Sequence, residues 1–220
     1  MKKIIQGGTL INEGRIFQAD ILLENDRIAE ISDHLSEAQF ENAEIINAQD
    51  HYVIPGVIDD QVHFREPGLT RKGDIAEGSR AAAAGGVTSF MDMPNVIPPT
   101  TTLRLLEEKQ EIGQRNSLVN YSFYLGATSE NIEEIRKADP RTTCGIKVFM
   151  GSSTGNMLVD HIPTLERIFA EVPLLIATHC EDTPLINKNL AAFRQRYGEA
   201  IPPEACLLYT SDAADDLTRV

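Results

Sequence analysis

The stretch VIPGVIDDQVHFREPG, residues 53–68, sets Asp59, Gln61, His63 and Arg65 at every second position after an apolar start. Alternate side chains of a strand share a face, with neighbours on that face roughly 7 Å apart. An acid, an amide, an imidazole and a guanidinium would then line one side. Burying such groups unpaired costs several kcal/mol each, so this face is either a solvated edge or a built site.

Comparable groups recur downstream. Asp92 and Asn95 end the run VTSFMDM, Lys147 lies within GIKVFMG, and His179 closes LLIATHC. Two imidazoles and a lysine on separate strands suggest a metal site. Zinc takes neutral imidazole nitrogen and carboxylate oxygen, and a catalytic zinc keeps one position for water. The ion brings the pKa of that water toward 7 and supplies hydroxide. A strand lysine suits such a set once its amine has reacted with CO₂, because the carbamate is an anionic oxygen ligand.

Each residue alone has a plainer reading: a hydrogen-bonded strand histidine, a snorkelling lysine, an Arg65–Glu66 surface pair, or Asn95 as a turn residue. Their recurrence at strand ends of one repeating architecture favours a site. His34, His51 and His161 fall in loop or turn contexts and receive no function. Neither does Cys180, since neighbouring strand residues face opposite ways.

The elements that must position these groups follow a rhythm. Residues 1–54 read as a small β module, with turns at Gly7-Gly8, Glu13-Gly14 and Asn25-Asp26. From residue 57, apolar runs begin at 57, 87, 120, 145 and 174, with helical stretches at 72–84, 103–115, 129–137, 162–171 and 185–197 between and after them. Strands alternating with helices at this spacing indicate βαβ units and a parallel sheet. Polar residues at the strand ends favour a (β/α)₈ TIM-type barrel, whose sites lie at the carboxyl-terminal mouth. A doubly wound sheet is disfavoured, because no Gly-rich phosphate turn follows the first strand.

The 220 residues carry a formal net charge of −13, which argues against nucleic acid and anionic membrane surfaces as partners. No apolar run has the length of a signal peptide core or a membrane span. Cys144, Cys180 and Cys206 lack framework spacing and suit a reducing cytoplasm.

Four motifs carry a family resemblance. PGVIDDQVHFREPG resembles the first-strand signature D-x-H-x-H-x-R-E-P-G of dihydroorotases among the cyclic amidohydrolases. GGVTSFMDMPNVIPPT resembles their second-strand segment, GIKVFMGSSTGNM the strand bearing a carboxylated lysine, and IATHCED the strand with a later metal histidine. The resemblance implies a zinc-dependent barrel (55–205) flanked by a small β-sandwich to which 1–54 contribute. It implies reversible closure of N-carbamoyl-L-aspartate to L-dihydroorotate in pyrimidine synthesis. By the same resemblance His63 binds one zinc, His179 a second, and carboxylated Lys147 bridges them, while Arg65 and Asn95 hold the substrate carboxylate. Hydantoinases and allantoinases share the architecture but generally lack this arginine.

Gln61 departs from the pattern, standing where the family usually has a histidine. An amide oxygen binds zinc more weakly than imidazole does. Three outcomes stay open: a tolerated substitution, a single-metal site, or a non-catalytic scaffold of the type that assembles with aspartate carbamoyltransferase. A homodimer is also open.

A barrel of this type takes about 250 residues, and five units end near residue 200. The chain is therefore expected to be truncated, inactive by itself and poorly stable, with the family's catalytic aspartate downstream. CLLYTSDAAD, residues 206–215, matches one translated frame of a transposase adapter used in sequencing libraries, so 206–220 are expected to be non-native.

Overall fold

A computed structural model describes residues 1–36, 40, 42–151, 157–180 and 183–202. The tail at 206–220, Cys206 and the segment 152–156 lie outside them. The chain divides into two compact units, Met1–Gly56 and the residues from Val57 onward. Among the described residues no helix is long and apolar enough to cross a membrane.

The first unit is one mixed sheet of β1 (Lys2–Asn12), β2 (Arg15–Glu24), β3 (Arg27–Ser32), β4 (Glu44–Asn47) and β5 (Tyr52–Val53). β1, β2 and β3 pair antiparallel, while β4 and β5 run parallel to β1. The turn Glu13-Gly14 has both φ angles positive, at 49° and 72°, the form whose twist matches the strands it joins. Ile4, Leu22 and Leu35 form one apolar cluster, and Leu10, Ala19 and Ile21 another. The β1–β2 register slips between Ile5 and Gly8. The Gly7 N–H at this slip donates to Asp20 Oδ1 at 2.8 Å, and Leu35 N–H donates to Oδ2 at 2.8 Å. Asp20 thus serves the backbone of this sheet, and His34, 3.7 Å from it, belongs to the same cluster.

The second unit holds five parallel strands: β6 (Val57–Val62), β7 (Val87–Asp92), β8 (Asn120–Gly126), β9 (Gly145–Phe149) and β10 (Ile176–His179). Their order, β10-β9-β8-β7-β6, is strictly sequential. Interleaved are α1 (Ile75–Ala84), α2 (Leu103–Asn116), α3 (Ile132–Ile135), α4 (Ile162–Glu171) and, last, α5 (Thr183–Tyr197). Sequential parallel order with helical crossovers is that of a TIM-type barrel, here a half-barrel, and not of a doubly wound sheet. Phe90, Phe123, Leu125, Ile146 and Val148 pack with Ile75, Leu106, Ile135 and Ile168 in the layer between strands and helices. Because Ile146 and Val148 take the helix side of β9, the alternation turns Lys147 and Phe149 to the barrel interior.

The helices begin where side chains satisfy their first N–H groups. Asp74 Oδ1 accepts from Glu77 N–H at 2.7 Å, and Thr102 Oγ1 from Leu105 N–H at 3.2 Å. Asp74→Ala is expected to cost about 1 kcal/mol and lower Tm by a few degrees in a thermal melt. The helix expected over 129–137 contracts to Ile132–Ile135. Asn131 is the reason: its Oδ1 accepts from Thr128 N–H, and its Nδ2 donates to Thr101 O at 2.9 Å and Gly126 O at 2.8 Å. It braces the loops instead of capping a longer helix.

Candidate active site

The first strand stops sooner than its pattern implies. β6 ends at Val62, its pairing with β7 is irregular, and Arg65 takes a left-handed φ of 67°. The expectation that Asp59, Gln61, His63 and Arg65 share one face fails for this reason: the alternation does not extend to Arg65. A left-handed conformation at a non-glycine residue is strained and needs surrounding structure to hold it.

That structure is a loop tied at several points. Glu66 Oε2 accepts from Ile75 N–H at 3.0 Å, placing the carboxylate at the positive end of α1. Glu66 therefore anchors the loop, in place of the Arg65–Glu66 surface pair. Ile97 N–H donates to Pro67 O at 3.1 Å, joining this loop to the one that follows β7. Gly68, with φ 79°, lies so close to Ile97 that a Cβ would fall 2.1 Å from its carbonyl oxygen.

The two loops also meet through their side chains. His63 Nδ1 lies 2.8 Å from Asn95 Oδ1. An amide oxygen only accepts, so Nδ1 donates and the Nε2 lone pair is left for another partner. Asn95 keeps two donors on Nδ2. His63 is exposed in surface area, yet burial by nearby atoms is the largest cause holding its pKa below 6.5; Arg65 and Lys147 act in the same direction, and Asn95 and Asp92 oppose them. The imidazole is therefore neutral at pH 7, the form that ligates metals.

Lys147 is 3% exposed, and burial lowers its pKa, with the charge of Cys180 opposing. Its Nζ lies 5.1 Å from the centre of the Phe149 ring. In the β9–β10 register Lys147 faces Ala177 and Phe149 faces His179, whose rings are 6.1 Å apart. His179 thus stands one same-face step beyond Lys147, toward the strand ends. Gln61 is exposed, with its backbone N–H donating to Asp59 Oδ1 at 3.1 Å. Cys180 follows the end of β10, so strand alternation no longer governs it, and its Sγ bonds Thr178 Oγ1 at 3.0 Å.

Among the described residues no three His, Cys, Asp or Glu side chains gather as a metal cage. Of the residues expected to hold a metal, His63 follows the end of β6, Lys147 lies within β9 and His179 closes β10. The other histidines have local roles: His51 Nδ1 lies 2.7 Å from Gln49 O, and His161 Nδ1 lies 3.2 Å from Thr164 Oγ1 at the start of α4.

One pair escaped the sequence reading. Asp92 turns to the helix layer, where its Oδ2 lies 2.7 Å from Lys109 Nζ with both side chains fully buried. The available signal was Lys109 itself, which shares the apolar stripe of α2 with Leu106 and Gly113.

The amidohydrolase family profile matches residues 52–209. A dihydroorotase of Methanothermobacter thermautotrophicus is 35% identical over 178 residues, covering 78% of this chain and 40% of that protein. A dihydroorotase of Lactobacillus acidophilus is 32% identical, covering 99% of this chain and 50% of that one. The L-hydantoinase (dihydropyrimidinase) of Arthrobacter aurescens superposes with a TM-score of 0.85 at 28% identity, over 96% of this chain and 47% of its own. The chain thus spans about half the length of the curated relatives it matches. The profile covers most of the chain and the backbone superposes on a hydantoinase, and on that basis the chain belongs to the amidohydrolase family.

Proposed function

We propose that the protein carrying this chain interconverts N-carbamoyl-L-aspartate and L-dihydroorotate, closing and opening a cyclic amide in cytoplasmic pyrimidine synthesis. The observation that carries this reading is the His63–Asn95 hydrogen bond, with Arg65 close enough to influence the same imidazole. It supports a reading in which Arg65 and Asn95 would bind the substrate carboxylate next to His63. The guanidinium fork matches the exocyclic carboxylate, and Asn95 Nδ2 donates a further hydrogen bond.

His63, His179 and, as its carbamate, Lys147 would be the residues that hold zinc. When bound, zinc polarises the amide carbonyl and acidifies a water to near neutrality. The chain's own residues prepare for this. Carbamate formation needs a neutral amine, and burial of Lys147 raises that fraction at pH 7. His63 presents a neutral Nε2 fixed by its bond to Asn95. Gln61 adds at most a weak oxygen donor, which favours one tightly held ion over two.

The exposed Gln61 also supports a second reading, a non-catalytic scaffold that assembles with aspartate carbamoyltransferase. Assays of the full-length protein on dihydroorotate and hydantoin, with metal content measured alongside, separate the readings. We expect turnover of dihydroorotate with at least one metal per chain. Arg65→Lys should raise KM roughly tenfold and change kcat less, because a point charge replaces a bidentate fork. Turnover of hydantoin alone would refute the substrate assignment, and absence of both metal and turnover would leave the scaffold.

A further inference from the structure

We propose that the buried Asp92–Lys109 ion pair is a positioning device that sets the orientation and tautomer of His63 and aims Asn95. The proposal rests on the reading of His63 as a metal ligand and Asn95 as a substrate residue. It adds to that reading two residues that touch neither metal nor substrate.

The geometry forms a closed circuit. The last register pair of β6 and β7 is Val62 with Asp92, and Met93 N–H donates to Val62 O at 3.0 Å. The next rung would take the Met93 carbonyl, but β7 ends at Asp92 and that carbonyl accepts from Lys109 instead. Asp92 supplies the acceptor from its side chain: Phe64 N–H donates to Oδ1 at 2.9 Å. The other oxygen, Oδ2, faces Lys109 Nζ at 2.7 Å, as an ion pair and not as an in-line hydrogen bond. Lys109 Nζ donates to Met93 O at 2.8 Å and lies 5.0 Å from the Phe123 ring centre. Both residues flanking His63 are thus tied to the end of β7, and the backbone two residues before Asn95 is tied to α2. The His63–Asn95 bond closes the circuit.

Stability alone does not explain the arrangement. Asp92 is 0% exposed and Lys109 1%, and an apolar pair of similar volume in such a place is often as stable as the ions. What the ions add is direction. One carboxylate and one ammonium serve a backbone N–H and a backbone carbonyl on two different loops, which no apolar pair does. A ligating imidazole needs its second nitrogen held by a fixed partner, and here that partner is itself held.

The test is made on metal-free, full-length protein carrying isotope-labelled histidine. The His63 resonance is assigned by its loss in His63→Gln, and the spectra are recorded at about pH 8, where the ring is neutral. The double variant Asp92→Asn with Lys109→Met removes both charges together and should keep Tm near that of the parent. Its ratio of Nδ1–H to Nε2–H tautomer at His63 should fall roughly fivefold, as expected when about one ordinary hydrogen bond loosens. Zinc affinity, read by chelator competition, should fall roughly tenfold. Asp92→Asn alone keeps the acceptor toward Phe64 but leaves the Lys109 charge buried without its partner, so it should lower Tm where the double variant does not, and move both quantities the same way. A folded variant of either kind with an unchanged His63 tautomer overturns the proposal. Because the tautomer is read without metal or substrate, a parent protein inactive on dihydroorotate would refute the function above and leave this result standing.

Discussion

Lys147→Met in the full-length protein is expected to lower dihydroorotate turnover by about three orders of magnitude, the scale of losing several kcal/mol of metal-based stabilisation. The side chain is 3% exposed in a strand whose five residues are all buried. Methionine fills similar space with no charge to desolvate, so Tm should hold or rise. Metal content should fall with activity. Loss of activity together with a collapse of Tm would point to a structural lysine instead. A second signature concerns pH. Burial lowers the Lys147 pKa from 10.5, so in CO₂-free apoprotein the unfolded chain binds the extra proton between the two values. The parent should therefore gain stability as pH rises through the folded pKa toward 10.5, and Lys147→Met should flatten that rise.

Gly68→Ala should be among the most damaging single changes to stability. The new Cβ would fall 2.1 Å from Ile97 O and 2.7 Å from Ile97 Cβ, at a φ of 79°. Left-handed strain and forced displacement together cost about 2–5 kcal/mol, a large part of ordinary domain stability. Gly86→Ala supplies the contrast: its φ is 86°, but nothing lies within 4 Å of an added Cβ, so only the conformational penalty applies. Denaturant midpoints of the two variants decide the matter. Equal losses would mean that the approach to Ile97 is not the cause. A folded Gly68→Ala protein should also bind substrate more weakly, since the displaced loop carries Arg65.

The strands and most helices were legible because apolar runs recur at regular spacing, and each run pairs with its sequence neighbour. Lys147 was legible as a strand residue, but its place on the interior face follows only from Ile146 and Val148 packing against the helices. Arg65 was not, because strand periodicity carries no warning of where a strand ends, and only backbone geometry reveals a left-handed residue. The short α3 was hidden in the same way: Ser129 reads as a helix start until the Asn131 amide is seen bridging two loops. Asp92 was noticed as a strand-end acid, but its partner sits seventeen residues on, across a helical turn count that pattern reading rarely pursues. The His63–Asn95 bond joins positions thirty-two residues apart, and nothing local in either segment announces it.

The sequential strand order has a consequence for how the chain acquires its shape. Each strand of the second unit finds its partner in the strand made just before it, with a single crossover between. Contacts of that kind close short loops and so carry a low entropic barrier. As the polypeptide leaves the ribosome, β7 can dock on β6 before β8 exists, and each later βα unit adds to a surface already formed. The Asp92 side chain and α2 complete the first such step: once α2 has emerged, Lys109 closes on Asp92, and His63 and Asn95 are set before β9 brings Lys147. Strand order thus allows the His63–Asn95 contact to form before Lys147 is in place.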